Sequence, residues 1–332
     1  GLNRFDRASG QFTAYQHDPD HASSLSHSEV LSLYPAKDGT LWVGTSAGGL
    51  NAFDPATGRF THYRHEPENP NSLSSDFISG IYQDNSGLVW LATRVGLNRL
   101  DPATGQITRY GRPNGLPADM VIGILEDDQG YLWLSTFGGL ARFDPRTETF
   151  KNFDHTDGLN NLQYDFYAYH RTRDGRLWVG GKKGIDIVDP SHLVENPHVP
   201  PVVITDVEIN NRPVPAGEDS GLTQSISMAE ALTLDYEDRV VTFEFAALNF
   251  VNPQKNRYKY KLEGFDRDWV ETGSDRPFAT YTNLDPGDYV FRVIAANNDG
   301  VWNEAGASIR LTMTPAWWQT WWFYGLSAAA GL

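Results

Sequence analysis

The sequence of 332 residues contains no cysteine. Disulfide bonds, thiolate–metal sites and a cysteine nucleophile are therefore excluded, although this absence alone does not identify the cellular compartment. The chain also lacks a Walker A loop, a dinucleotide-binding fingerprint and a G-x-S-x-G nucleophile elbow. No secretory signal is visible, and the first residue is Gly1 rather than methionine. Because cysteine and these nucleotide-binding and nucleophile motifs are absent, the sequence predicts no catalytic residue and no cofactor.

Basic residues are scarce as well. Lys and Arg total 27 against 42 Asp and Glu, which gives a formal net charge of −15. Such a surface repels phosphate backbones, so nucleic acid is not an expected partner. Aromatic residues, by contrast, make up 13% of the chain, and there are 31 Gly and 19 Pro. This mixture is typical of many short strands joined by tight turns and disfavours a helical bundle.

A repeat dominates the first part of the chain. Four segments containing a Trp strand and a later D-P turn align with one another, and their tryptophans are spaced by 48, 43 and 45 residues. A period of about 40–50 residues with β character is typical of propeller blades of four strands each. The tryptophans at this repeated position are Trp42, Trp90, Trp133 and Trp178.

The chain opens with GLNRFDRASGQFTAY, which is the back half of one more repeat. Propeller blades bury their faces only against one another, and propellers have about 4–8 blades. We therefore expect further blades upstream of Gly1, with the C-terminal blades of the propeller in residues 1–192.

The repeated pattern D-x-x-G-x-L-W-x-G-T-x-x-G-L-x-x-F-D-P-x-T-G resembles the repeat of the two-component regulator propeller family. The resemblance covers residues 1 to about 192 and recurs four times in register. Three copies depart from the Gly-Thr pair but keep small residues there, namely Ala92 and Thr93, Ser135 and Thr136, and Gly180 and Gly181. The resemblance implies a periplasmic sensor domain of a histidine kinase or of a diguanylate cyclase.

From Pro200 the period stops, and seven strand-like runs follow in roughly 115 residues, as in a fibronectin-like or Ig-like β-sandwich. We assign residues 193–314 to this domain. The runs are Val202–Asn210, Ala231–Asp235, Val240–Ala247, Tyr258–Glu263, Phe278–Thr282, Asp288–Ala296 and Ser308–Thr314.

The sandwich resembles the three-tyrosine (Y_Y_Y) domain that follows such propellers in the same receptors. The segment NLDPGDYVFRVIAANNDGVW predicts a tyrosine corner at Tyr289. The other tyrosines of the resemblance, Tyr258, Tyr260 and Tyr281, are expected in the sandwich core rather than at a ligand.

The last segment, residues 315–332, is rich in Trp and Tyr and ends in an uncharged run from Trp321 to Leu332. Trp and Tyr concentrate at membrane–water interfaces, and a complete span needs about 20 apolar residues. We interpret the segment as the truncated start of a transmembrane helix. The alternative is a soluble amphipathic tail.

Two of the nine histidines, His17 and His65, occupy the same position in successive repeats, in YQHDPD and YRHEPE. This recurrence predicts a shared loop structure rather than an active site. No zinc-type spacing is present. The acidic loop around Asp18 leaves Ca²⁺ as an alternative, but it lacks an EF-hand pattern, so the expected outcome is no metal site.

Ligand binding is expected on two sets of loops, those before each first strand and those after each Trp strand, because these vary most between blades. Their non-repeating residues combine aromatic rings with positive charge, which suits a sugar or a carboxylated oligomer. The candidates are His27, Arg94, Phe137, Tyr164, Tyr167 and Lys182.

These observations predict the extracytoplasmic input domain of a membrane receptor. It is expected to bind a periplasmic small molecule or oligosaccharide and to move a membrane helix through the sandwich. The sandwich is expected to act as a rigid coupling piece in a homodimer. The resemblance implies an oligosaccharide for some family members. The expected location is the periplasmic face of the bacterial inner membrane, with one or two membrane passes.

A histidine kinase is the first choice for the output and a diguanylate cyclase the second, while the fragment itself is expected to be non-enzymatic. Two other classes stay open at this point. A propeller lyase or quinoprotein would need inward-facing His or carboxylates at non-equivalent blade positions, and no such cluster is visible. A surface adhesion module would have no kinase or cyclase after the membrane helix.

Overall fold

The computed structural model describes residues 1–215, 217, 222 and 224–330. The chain forms two compact units, Gly1–Leu193 and Val194–Leu332. The predicted all-β fold is confirmed, because strands make up nearly all of the regular structure of both units.

The first unit consists of antiparallel sheets in which strands follow one another in chain order, as in propeller blades. A two-stranded half-sheet comes first: β1 (Leu2–Phe5) and β2 (Phe12–Tyr15). Blade 1 contains β3 (Val30–Pro35), β4 (Leu41–Thr45), β5 (Leu50–Asp54) and β6 (Arg59–Tyr63). Blade 2 contains β7 (Ile78–Gln83), β8 (Val89–Thr93), β9 (Gly96–Leu100) and β10 (Ile107–Tyr110).

Two more sheets complete this unit. Blade 3 contains β11 (Val121–Glu126), β12 (Leu132–Thr136), β13 (Gly139–Asp144) and β14 (Thr149–Phe153). Blade 4 has three strands in the structure: β15 (Tyr164–Arg171), β16 (Leu177–Gly181) and β17 (Gly184–Val188). The first strands β3, β7, β11 and β15 adjoin their neighbours in turn and therefore lie closest to the axis.

The turn between the third and fourth strands explains the repeated D-P-x-T-G sequence. In blade 2 the Asp101 carboxylate accepts hydrogen bonds from Ala103 N at 2.9 Å and from Thr104 Oγ1 at 2.8 Å. Gly105 has a φ of +74°, a conformation that glycine adopts without strain. The same contacts recur around Asp54 in blade 1. The recurring letters are therefore those that close this turn.

Histidines at equivalent positions also make equivalent contacts. His17 Nδ1 lies 2.8 Å from the carbonyl oxygen of Leu25, and His65 Nδ1 lies 2.6 Å from that of Leu73. The predicted shared loop structure is thereby confirmed, since each ring holds the loop that leads into the next blade.

Three of the four repeat tryptophans are buried between neighbouring blades. Trp42, Trp90 and Trp133 are at most 3% exposed, whereas Trp178 is 38% exposed. The Trp90 ring, for example, lies 5.5 Å from Phe143 of blade 3. Each buried tryptophan is thus covered by the blade that follows, and blade 4 has no following blade in this chain.

The indole N–H groups of two tryptophans are satisfied by an aspartate six residues earlier. Trp90 Nε1 donates to Asp84 Oδ2 at 2.7 Å, and Trp133 Nε1 donates to Asp127 Oδ2 at 2.8 Å. The buried Trp42 Nε1 has no hydrogen-bond partner within the described residues. The difference follows from the sequence, because the position six residues before Trp42 is an alanine.

We expect Ala36→Asp to stabilise the first unit by about 1 kcal/mol, since the new carboxylate supplies the acceptor that Trp42 Nε1 lacks. The measurement is the urea midpoint of the variant against the parent chain. Ala56→Asp is the matched control, because it adds the same charge at an exposed turn. Equal midpoints for the parent chain and Ala36→Asp would contradict the prediction.

The second unit is a β-sandwich of two sheets. One sheet has the strand order β19-β18-β21-β24, with β18 (Val202–Ile209), β19 (Arg212–Pro213), β21 (Val240–Ala247) and β24 (Phe278–Thr282). The other has the order β20-β26-β25-β22-β23, with β20 (Ala231–Leu234), β22 (Arg257–Glu263), β23 (Val270–Gly273), β25 (Gly287–Ala296) and β26 (Trp302–Met313).

The seven predicted strands are all present, and the described residues add two short ones, β19 and β23. The predicted final strand starts too late, because β26 begins at Trp302 rather than at Ser308. Gly306 explains the error: it has a φ of +59° at an irregularity in the β25–β26 ladder, which interrupts the alternation that marks a strand.

The tyrosines of the sandwich lie in and around its core. Tyr258 and Tyr281 are each 5% exposed, and Tyr260 packs against the same apolar cluster. The Tyr289 hydroxyl donates to the carbonyl oxygen of Asp285 at 2.9 Å. A bond from a tyrosine hydroxyl to the backbone a few residues upstream is the geometry of a tyrosine corner.

The segment that enters the sandwich, residues 194–201, is held by asparagine side chains of the sandwich. Asn297 is 1% exposed, and its Nδ2 donates to the carbonyl oxygen of Asn196 at 2.8 Å. Asn303 Nδ2 donates to the carbonyl oxygen of Pro200 at 2.9 Å. Side-chain bonds to the backbone thus make this segment part of the sandwich rather than a free linker.

The chain ends in α1 (Trp321–Ala330), a helix of ten residues. No helix within the described residues has the length and apolar character needed to cross a membrane. The apolar side chains on and just before α1 are nevertheless well exposed: Trp321 is 85%, Leu326 62% and Tyr324 60% exposed.

Candidate functional site at the axis of the first unit

An irregularity at the start of each innermost strand shapes one end of the first unit. In blades 1 to 3 the first strand carries one extra residue relative to its partner, as Ser79 does between Ile78 and Gly80. In blade 4 the ladder pairs Tyr164 with Gly181 and resumes only at Tyr169. The larger bulge, residues 165–168, therefore projects from the inner strand of the last blade.

Tyr167 lies within this bulge and has a φ of +62°. A non-glycine residue in the left-handed region costs on the order of 1 kcal/mol or more, and such strain concentrates at functional sites. The side chain is 58% exposed, so burial of its own ring does not offset this cost. The neighbouring Phe166 is 37% exposed. The bulge thus presents two aromatic rings to solvent.

Side chains from blades 2 and 3 meet the bulge. The Arg94 guanidinium carbon lies 4.7 Å from the centroid of the Phe77 ring. Phe77 is 5.9 Å from Phe166, and Phe137 is 6.5 Å from Phe166, both in edge-on geometry. Phe166 and Tyr167 are 6.2 Å apart. We call this set, Phe77, Arg94, Phe137, Phe166 and Tyr167, the aromatic cluster.

Blade 1 contributes a negative charge to the same region. Burial raises the pKa of the Tyr167 hydroxyl, and the nearby charge of Glu29 raises it further. Glu29 immediately precedes β3, so a negative charge of blade 1 lies near the bulge of blade 4. Glu29 N donates to His27 Nδ1 at 3.1 Å, and Ser46 Oγ lies 3.2 Å from the same nitrogen. His27 thereby holds the loop that carries Glu29.

Tyr169 follows the bulge and packs against glycines of blades 2 and 3. A Cβ atom on Gly123 would lie 2.3 Å from Tyr169 Cδ1, and a Cβ atom on Gly80 would lie 3.1 Å from the Tyr169 hydroxyl oxygen. The ring therefore occupies the space that side chains of blades 2 and 3 would need. Burial raises the pKa of the Tyr169 hydroxyl, so this group stays protonated and neutral.

The arrangement suits recognition of a sugar that carries a carboxylate. Exposed aromatic faces stack on the apolar faces of sugar rings, and a guanidinium binds a carboxylate through two parallel hydrogen bonds. Phe137 is 44% exposed and Arg94 is exposed as well. Within the described residues no group of three or more His, Asp or Glu side chains is placed to hold a metal ion.

Three of the six predicted ligand residues, Arg94, Phe137 and Tyr167, belong to the aromatic cluster. His27 lies next to it and positions Glu29. Lys182 is exposed on the β16–β17 turn, and the described structure shows no contact between it and the cluster.

Tyr164 is the exception and has to be removed from the predicted set. It is 1% exposed, and its hydroxyl donates to Asp186 Oδ2 at 2.8 Å inside blade 4. It starts the inner strand before the bulge, so the regular ladder turns its side chain into the blade. A solute outside the blade therefore does not reach it.

Sequence reasoning missed Phe77, Phe166 and Glu29. All three lie in the loops or strand starts that vary between blades, so the same criterion applies to them. Phe77 immediately precedes β7, which begins at Ile78, so it stands at a strand start. Phe166 is revealed only by the bulge, which has no counterpart of that length in the other repeats.

Comparison with known proteins confirms the family resemblance. Residues 24–47, 72–94 and 115–138 match the family described as two component regulator propeller, and residues 249–314 match the Y_Y_Y domain. The propeller matches end at or just beyond the turns that carry Ser46, Arg94 and Phe137.

Two known proteins are similar to this chain. Histidine kinase P4 from Formosa agariphila is 34% identical over 177 residues, which are 53% of this chain and 13% of that protein. The extracellular domain of the hybrid two component system BT3049 from B. thetaiotaomicron has a TM-score of 0.76 and 25% identity, with 92% of this chain and 40% of that chain covered. This chain thus spans 13% of the length of the first protein and 40% of the solved chain of the second.

Proposed function

We propose that this chain, built from two-component regulator propeller repeats and a Y_Y_Y domain, is the ligand-sensing extracytoplasmic part of a two-component sensor histidine kinase. The similarity to a protein named a histidine kinase and to the extracellular domain of a hybrid two component system supports this function. The fragment binds a ligand and transmits the resulting conformational signal to the rest of the receptor. The kinase activity belongs to that remaining part.

The observation that carries the proposal is the aromatic cluster. Its members come from three successive blades, and Glu29 of blade 1 lies near Tyr167. Residues so far apart in sequence meet only because the blades surround one axis. None of these contacts is needed to close a blade, since the ladders and the interblade core are formed by other side chains. A ligand at this end of the axis would touch all four blades at once.

The ligand class that fits the aromatic cluster is an oligosaccharide with a carboxylate group. Arg94 is the cation available for the carboxylate, and Phe137, Phe166 and Tyr167 offer ring faces for stacking. Glu29 of blade 1 lies near Tyr167 and can accept hydrogen bonds from sugar hydroxyls.

Blade 4 is the natural output element, because it carries the bulge and ends next to the sandwich in sequence. Residues 194–201 move with the sandwich, since the Asn297 and Asn303 side chains hold them. A ligand that stabilises one conformation of the bulge therefore acts on the blade whose last strand leads directly to that segment. We place the chain at the periplasmic face of the membrane, anchored through its C-terminal helix and dimeric through the sandwich.

The test is binding of acidic oligosaccharides, for which oligogalacturonate is the probe and the neutral maltooligosaccharide of equal length the reference. Arg94→Ala should weaken oligogalacturonate binding by about tenfold or more, because a charge-assisted hydrogen bond is lost. Phe166→Ala should weaken the binding of both probes, because it removes a stacking surface. Isothermal titration of the soluble chain measures both affinities.

Arg59→Ala is the matched control, because Arg59 is an exposed arginine on the outer strand β6, far in sequence from the cluster. Glu29→Gln should strengthen binding of the acidic probe by removing a like charge. If the acidic probe binds and both Arg94→Ala and Phe166→Ala bind it as the parent chain does, the aromatic cluster is not the ligand site.

A further inference from the structure

A groove of about 250 Å³ lies at the end of the sandwich where the chain leaves for α1. One wall is aromatic: the Tyr236 and Trp318 rings meet edge to face, with centroids 4.9 Å apart. Thr314 secures the exit of the chain, because its N–H donates to the carbonyl oxygen of Leu234 at 2.9 Å and its hydroxyl donates to Asp235 Oδ1 at 2.9 Å. The aromatic wall is therefore fixed to the sandwich.

The groove also holds charges of both signs. Arg239, Asp238 and Asp285 all line it. The Arg239 backbone is held from two sides, since its N–H donates to Asn210 Oδ1 at 3.1 Å and its carbonyl oxygen accepts from Asn283 N at 2.8 Å. Within the described residues, no carboxylate lies at ion-pair distance from the Arg239 guanidinium. One cationic and two anionic residues thus line the same groove, and the Asp238 carboxylate also accepts from Asp235 N at 2.9 Å.

The surroundings of the groove indicate which kind of molecule could reach it. Trp318 adjoins further exposed tryptophans of the C-terminal segment. Trp317 is 55% exposed, Trp321 is 85% exposed and Trp322 is 44% exposed. Tryptophan prefers the interface between lipid head groups and acyl chains. With this surface at a bilayer interface, the groove beside it lies at the depth of the head groups.

We propose that the groove binds the head group of phosphatidylethanolamine in the bilayer, an inference that rests on the membrane placement given in the proposed function. The lipid phosphate pairs with Arg239, and the primary ammonium donates to Asp238 and Asp285. The ammonium has three N–H donors, whereas the trimethylammonium of phosphatidylcholine has none. A net charge of −15 opposes binding of lipids whose head group is only anionic.

The experiment uses the whole chain and vesicles of three compositions. One is pure phosphatidylcholine, and the other two contain in addition about 30 mol% of either phosphatidylethanolamine or phosphatidylglycerol. Cosedimentation measures the bound fraction. We expect several-fold tighter binding to the phosphatidylethanolamine vesicles than to the other two. In Arg239→Gln this preference should disappear, while binding to pure phosphatidylcholine should be unchanged.

Arg310→Gln is the matched control, because it removes the same charge from an exposed position on β26 of the same sandwich, and it should keep the preference. Circular dichroism checks that both variants fold. Equal binding to all three vesicles, a preference for phosphatidylglycerol, or an unchanged preference in Arg239→Gln would each overturn the proposal. Oligosaccharide titration of the soluble chain reports on the sensing function separately, so the two failures are distinguishable.

Discussion

Replacing Gly123 by alanine is expected to destabilise the first unit by about 2 to 3 kcal/mol, because overpacking a filled core forces side chains and backbone to shift. The new Cβ atom would lie 2.3 Å from Tyr169 Cδ1 and 2.4 Å from Tyr169 Cε1. No rotation of a flexible chain end relieves this overlap, since both atoms belong to the ring. The measurement is urea unfolding, with hydrogen exchange in β11 and β15 to assign the loss to this unit.

A double-mutant cycle separates this overlap from a general intolerance of substitution. Tyr169→Ala alone should cost about 3 to 5 kcal/mol by leaving a cavity. Together with Gly123→Ala the loss should be smaller than the sum, because the added methyl group then enters empty space. Gly111→Ala is the control, with a φ of −138° and no atom closer than 3.7 Å to the new Cβ. Additive losses in the double variant would contradict the packing argument.

The same substitution has a functional consequence. Tyr169 lies two residues after Tyr167, at the point where the regular ladder of β15 resumes. A displaced Tyr169 ring therefore moves the base of the bulge that carries the exposed aromatics. Gly123→Ala should weaken oligosaccharide binding even under conditions in which the protein remains folded.

Asp186→Ala is expected to cost about 3 to 4 kcal/mol, because several buried donors lose their common acceptor. The Asp186 carboxylate is 4% exposed and accepts from the backbone N–H and the side-chain amide of both Asn160 and Asn161. It also accepts from the Tyr164 hydroxyl. Asp186→Asn should cost less but not be neutral, since an amide has one acceptor oxygen and its NH₂ group would face other donors.

The contribution of Asp186 should depend on pH. Burial alone would raise the pKa of its carboxyl group, but the hydrogen bonds from Asn160, Asn161 and Tyr164 outweigh burial and lower the pKa below 3.8. Because the folded-state pKa is the lower one, the stabilisation is fully present above the unfolded value near 3.8 and is lost as the pH falls through the folded value.

Urea midpoints of the parent chain and of Asp186→Ala, measured from pH 7 down to pH 2.5, check this dependence. The difference between the urea midpoints of the two proteins should stay constant above about pH 4.5 and become smaller below it. Glu68→Ala removes an exposed carboxylate from the same unit and should show no such gap. A gap that widens on acidification would mean that Asp186 is protonated in the folded protein.

The sequence determined the blades because each one closes with local chemistry. The D-P-x-T-G turn needs only the Asp101 carboxylate, its neighbours and a glycine with positive φ, all within five residues. The tyrosine corner at Tyr289 is equally local, since its partner Asp285 is four residues away. Local contacts produce a recognisable residue spacing in the sequence, and this spacing predicted the fold and the family.

Only the tertiary structure decided which repeated residues are buried and which loop residues meet. Trp178 stands in the same motif as Trp90, and its exposure depends on whether another blade follows. Tyr164 and Tyr167 are three residues apart, yet one is buried and the other exposed. The physical reason is that Tyr164 is paired in the regular ladder with Gly181, whereas Tyr167 lies within the bulge, outside the ladder, with a φ of +62°.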